Sequence, residues 1–267
     1  MDDEVRDVDA WQGAVTGALM AFHVECSAPE RFRGSISRRR LGETSLIAMT
    51  SRPHCAVRAA EHIDHQPAEY LLSLQLGGTA RFRQDDRVAR VGPGDMVFYD
   101  SSRPVEILSG EGYRSLCFRF PVDGLGAHRR AGELTATAFD AAQGLTPAVA
   151  GLLTGLHEGL ERPDGAVRPE TVQATARHAT ELARTLFDDE LARRGLLGTP
   201  DPHEELRARI DRHIDEHLAD PQQARTPVSS VALRRGFTNP TRFGQLVKSA
   251  TGRTPVAYRR AMLDGTA

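Results

Sequence analysis

Three groups of residues have the types and spacing for chemistry. Glu61-His62, His65 and Glu69 gather metal-type ligands ahead of an apolar run. His213 and His217 stand one helical turn apart with Glu216 beside them, the spacing of a zinc pair on a helix. The third group is basic: Asn239, Thr241, Arg242, Gln245, Lys248, Ser249, Arg253 and Arg259 suit hydrogen bonding to base edges and to phosphates. The second group flanks an apolar stripe, Leu206, Ile210 and Ile214, and reads better as partly buried helix residues. The first reads as a surface loop, so neither a metal nor another cofactor is expected. Nothing points to catalysis: G-x-x-x-x-G-K, G-x-G-x-x-G and G-x-S-x-G are absent, and Cys26, Cys55 and Cys117 form no C-x-x-C.

Charge singles out the third group. The chain has a formal net charge of −2 at pH 7, yet Pro221 to Ala267 carries eight basic side chains and one acid, Asp264. That tail therefore holds +7, leaving −9 for the rest by subtraction. Segregation of this kind presents the basic end to a polyanion, with nucleic acid the first candidate. The acidic start, MDDEVRDVDAW, is unlike a signal peptide, and no apolar run is long enough to span a membrane, so a cytoplasmic location is expected.

The elements that position the basic residues are legible. Leu206, Ile210, Ile214 and Leu218 mark one helix, Pro227 to Arg235 a second closed by Gly236, and Asn239-Pro240 caps a third that Gly252 ends. A helix, a glycine turn and a second helix form the helix-turn-helix arrangement. On the third helix Phe243, Leu246, Val247 and Ala250 fall inward while Thr241, Arg242, Gln245, Lys248 and Ser249 fall outward, as a recognition helix requires.

Upstream, between Ser35 and Pro121, short runs of β-formers are split by Gly, Pro and Asp. In YLLSLQL (70–76), Tyr70, Leu72, Leu74 and Leu76 share one face and Ser73 and Gln75 the other, which predicts a strand with one buried side. Asp85-Asp86 predicts a hairpin turn, and the regular spacing of the later runs predicts a sandwich or small barrel. From Thr146-Pro147, read as N-cap and N1, Val149, Leu152, Leu153, Leu156 and Leu160 recur at helical spacing. A second helix follows ERPDGAVRPE and runs to about Arg194. The pair should pack on the barrel, on each other or on a second subunit.

These residues carry a family resemblance. Val231-Ala232, Gly236-Phe237, Phe243, Lys248, Gly252, Thr254-Pro255 and Tyr258-Arg259 resemble the second helix-turn-helix unit of the AraC/XylS transcriptional regulators. YLLSLQLGG followed by VGPGDMVFYDSSRP is similar to the cupin-type effector-binding barrel of one branch of that family. The resemblance implies an α+β chain with a cupin-like effector-binding domain over 1–125, a helical dimerisation hairpin and linker over 126–200, and a helix-turn-helix DNA-binding domain over 201–267. It also implies a homodimeric transcription regulator that binds promoter or operator DNA and a small effector. Val97 and Phe98 stand where a metal-binding cupin would place a histidine.

The chain departs from that family in one large respect. Two helix-turn-helix units with a linking helix would need on the order of 100 residues, and Glu204 to Arg260 supplies 57. One unit is expected in place of two, and an alternative reading follows: a sensor deficient in DNA binding that pairs with full-length relatives. For the effector, Arg38, Tyr70, Leu72, Phe98, Asp100 and Arg103 are the expected lining residues, against the alternative of a barrel filled by its own side chains.

Overall fold

A computed structural model describes residues 4–63, 68–122, 131–162 and 168–196. The chain divides into two compact units, Met1–Leu197 and Gly198–Ala267. The helix-turn-helix expected over 201–267, with Asn239, Thr241, Arg242, Gln245, Lys248, Ser249, Arg253 and Arg259, lies outside the described residues.

The first unit opens with a helix that the sequence reading passed over, α1 (Val8–Ala18). Asp7 caps it by accepting from the Ala10 amide at 2.8 Å, and Trp11 and Val15, one turn apart, are its buried residues. Strands follow: β1 (His23–Glu25), β2 (Gly34–Leu41), β3 (Thr44–Ser51), β4 (His54–Arg58), β5 (Glu69–Gly77), β6 (Ala80–Gln84), β7 (Arg87–Val91), β8 (Met96–Asp100), β9 (Val105–Ser109), β10 (Tyr113–Pro121) and β11 (Thr137–Phe139). Two helices close the unit, α2 (Thr146–Glu161) and α3 (Pro169–Arg193). All strand pairings are antiparallel, in a five-stranded sheet ordered β1-β4-β9-β6-β7 and a six-stranded sheet ordered β11-β8-β5-β10-β3-β2.

Local chemistry explains the turns. Gln84 pairs with Arg87 across Asp85 and Asp86, whose φ angles of 51° and 60° make the two-residue turn that matches strand twist. Gly78, at φ 65°, is required for a second reason: a Cβ there would lie 2.4 Å from the Glu111 carbonyl oxygen.

The six-stranded sheet is covered on both faces. Leu71, Val97, Tyr99, Ile47 and Cys117 meet Phe82, Ala89, Val105 and Ile107 of the other sheet. Tyr70, Leu72, Phe98, Phe118 and Phe120 meet Val149, Leu153, Ala183, Leu186 and Phe187 of α2 and α3. The expectation of one buried side on β5 is therefore corrected: Ser73 and Gln75 are as buried as Leu72 and Leu74. On β5, β8 and β10 the helix pair roofs the face carrying the even-numbered residues, and the second sheet covers the odd-numbered ones.

The helix start is also shifted. Leu145, not Thr146, is the residue flanking α2, and Thr146 lies inside the first turn with its hydroxyl buried and unpartnered. Of the three packing options for the pair, the barrel takes Val149, Leu153, Leu186 and Leu191, while Leu152, Leu156 and Leu160 remain half-buried along its edge.

Candidate functional site

The central strands β5 and β10 carry an unusual row of polar side chains toward the sandwich interior. Along β10, Tyr113, Ser115, Cys117 and Arg119 point inward, and along β5 Gln75, Ser73, Leu71 and Glu69 run beside them in antiparallel register. At the deep end Gln75 Oε1 is buried without a hydrogen-bond partner, although Gln75 Nε2 donates to the Gly77 carbonyl, and the Ser115 hydroxyl lies beside that of Tyr113. In the middle the Tyr99 hydroxyl and Cys117 thiol lie 3.7 Å apart. Burial pushes the Cys117 thiol up to about 12, so it stays protonated and inert as a nucleophile near neutrality.

At the other end of the row the interior opens among charged groups. Arg119 Nε lies 3.3 Å from Glu69 Oε2, and Arg119 Nη1 donates to the Leu19 carbonyl at 2.7 Å. Arg38 Nε donates to Ser45 Oγ at 3.1 Å. Its guanidinium is held below its ordinary pKa by burial first, then by Arg119 and Arg40, with Glu69 opposing. Arg58, nearly buried, donates to the Ser101 and Ala21 carbonyls at 2.9 Å each. Arg119 and Arg58 thus fasten the chain just after α1 to the rim of the sandwich.

The expected ligand residues divide between the two faces of one sheet. Arg38 pairs with Ile47 on the sandwich side. Tyr70, Leu72 and Phe98 lie under the helices, with the Phe98 ring edge-to-face with those of Phe187 at 4.8 Å and Tyr70 at 5.0 Å. Asp100 and Arg103 join Tyr70 at the end of that layer: Arg103 Nε lies 3.4 Å from Asp100 Oδ2 and Arg103 Nη1 2.9 Å from Asp85 Oδ2. Burial, then the Asp100 charge, pushes the Tyr70 hydroxyl above its usual range. The structure therefore groups Tyr70, Leu72, Phe98, Asp100 and Arg103 with one another and Arg38 with Arg119, Ser45 and Glu69. Arg119 and the interior serines were passed over, yet a charged residue inside the apolar run YRSLCFRF was the available signal.

Of the metal-type residues ahead of β5, His65 lies outside the described residues, while His62 Nδ1 accepts from the Ala59 amide at 3.0 Å. Among the described residues no group of three or more His, Cys, Asp or Glu is placed to hold a metal ion.

A double-sheet sandwich under a helical roof is a cupin-type plan, and it defines the fold class of this chain. Residues 11–188 match the AraC-binding-like domain, and the chain belongs to that family. The crystal structure of the AraC-like transcriptional activator CuxR is similar in fold, with TM-score 0.60 at 17% identity, covering 100% of this chain and 96% of that one. An uncharacterized protein in the nit 5′ region of Bacillus sp. (strain OxB-1) is 28% identical over 120 residues, which is 45% of this chain and 46% of that protein. The chain thus spans about half the length of that curated relative. Among the described residues no helix is long and apolar enough to cross a membrane.

Proposed function

We propose that this chain is a cytoplasmic transcription regulator that binds operator DNA through its basic tail and answers to a small effector held in the sandwich. The observation that carries the reading is the joining, in one chain, of an AraC-binding-like domain over 11–188 with a tail of net +7 bearing a helix-turn-helix pattern. Residues 1–125 sense, 126–200 hold the dimerisation hairpin, and 201–267 read DNA. Arg242 and Gln245 contact bases, with Asn239, Thr241 and Ser249 beside them, while Lys248, Arg253 and Arg259 hold phosphates. No catalytic role is assigned.

Selection of genomic fragments by the purified chain tests this, followed by titration of the best fragment against random DNA at two salt concentrations. Selective binding that survives higher salt is expected, and it should be lost in Arg242→Ala with Gln245→Ala. Equal binding to both DNAs, erased by salt, would instead support a second reading that the 57 residues from Glu204 to Arg260 favour. In that reading the chain is a modulator that pairs with full-length relatives, and co-purification of mixed dimers is its check.

A further inference from the structure

The open end of the sandwich holds more positive than negative charge. Register places Arg40 and Arg119 on either side of Ser45, whose hydroxyl accepts from Arg38, so three guanidinium groups are neighbours, and among the described residues Glu69 is the carboxylate that acts on Arg38. Glu69 is already taken by Arg119 at 3.3 Å. Arg38 spends only Nε, on the neutral Ser45 hydroxyl, so among the described residues both of its terminal nitrogens are unengaged. Holding guanidinium groups together in a partly desolvated place is unfavourable unless an anion joins them. A planar fork with two free N–H edges matches a carboxylate in bidentate geometry.

We infer that the effector carries a carboxylate, gripped by the Arg38 terminal nitrogens at the open end of the sandwich with Arg40 adding charge from the rim. The inference rests on the effector-responsive reading above and narrows it to one chemical class. Arg38 is the binding residue. Arg119, tied to Glu69 and to the Leu19 carbonyl, positions the rim and adds field.

The test is melting and calorimetric titration of the full chain with acetate and benzoate, each paired with its neutral amide, and with inorganic phosphate. At matched ionic strength a carboxylate should raise the melting temperature where its amide does not. Arg38→Gln should weaken carboxylate binding about tenfold or more, and Arg38→Lys, which keeps the charge but not the fork, should restore part of it. The matching substitution Arg90→Gln, at an exposed position on β7 of the other sheet, should leave binding unchanged. Acid and amide acting alike on the wild type, a preference surviving in Arg38→Gln, or phosphate binding without carboxylate binding would each overturn the inference. Failure here with intact selective DNA binding removes only the effector class. Carboxylate binding by a chain that shows no DNA selectivity keeps the site and removes the regulator reading.

Discussion

Trp11 Nε1 donates to His54 Nε2 at 3.3 Å inside the sandwich, tying α1 to the first residue of β4. Because Nε2 accepts, the ring proton belongs on Nδ1, where the Arg52 carbonyl and the Ser51 and Ser109 hydroxyls stand at 3.0, 3.2 and 2.9 Å. A second ring proton would meet the indole N–H head-on. Phe32 and Tyr113 close the site edge-on to the imidazole, and burial pushes the Tyr113 hydroxyl up to about 12, so it stays neutral throughout the range that matters.

A pH dependence follows. Burial depresses the His54 pKa, with the Arg52 carbonyl opposing. A depressed value means that the unfolded chain takes up a proton near the ordinary value of about 6.5 while the folded chain resists. Stability attached to neutral His54 is therefore complete above about pH 6.5 and is lost as pH falls below it. Denaturation midpoints between pH 8 and 5 should fall on the acid side for the wild type, and the slope should be shallower in His54→Gln. Equal slopes would show that other groups set the acid sensitivity.

Gly34 is a close-packing position. A Cβ there would lie 2.9 Å from two atoms of the Trp11 ring, and Trp11 is 1% exposed with Phe32 and His54 against it. The ring cannot yield freely, so Gly34→Ala should destabilise the unit by about 1–3 kcal/mol through overpacking. Urea denaturation with an unchanged m-value would report this, and a neutral effect would mean that α1 shifts at no penalty.

How far the sequence revealed this molecule depends on whether a feature was local. Asp85-Asp86 carried its own turn chemistry, and the alternation in 70–76 carried its own strand period. Which face of that strand was sandwich interior and which lay under helices depended on α2 and α3, some eighty residues away, and period two is the same either way. Tyr70, Leu72 and Phe98, expected to line the effector site, lie beneath Phe187 and Leu186, and nothing in their own stretch of sequence announces that cover. Arg119 and Glu69 meet across fifty residues of chain, a pairing that strand order alone creates.

Phe187 joins the helical roof to the sheet, with its ring 4.8 Å from Phe98 and 5.7 Å from Phe139. Truncation to Ala should cost about 3–5 kcal/mol. Because α3 shares one continuous core with β5, β8 and β10, helical and aromatic spectroscopic signals should still be lost together in one transition. Two separated transitions would mean that the roof folds independently of the sandwich.

The last prediction concerns α2. Gly151, Gly155 and Gly159 repeat every fourth residue beside half-buried Leu152, Leu156 and Leu160, and a Cβ at any of the three glycines would meet nothing within 4 Å. Val172 and Thr175 of α3 complete the walls of a shallow cleft of about 330 Å³ along this line. Each glycine inside a helix costs up to about 1 kcal/mol relative to alanine, and nothing within the described residues repays it. In an isolated subunit Gly155→Ala should therefore stabilise by up to about 1 kcal/mol, because the added methyl enters open space. If the hairpin forms the homodimer proposed above, the same methyl should hold two helices apart and weaken association. Sedimentation equilibrium across a concentration series, paired with thermal melts, separates the two effects. A more stable subunit with a raised dissociation constant supports pairing through α2, and a more stable subunit with unchanged association places the dimer contact elsewhere.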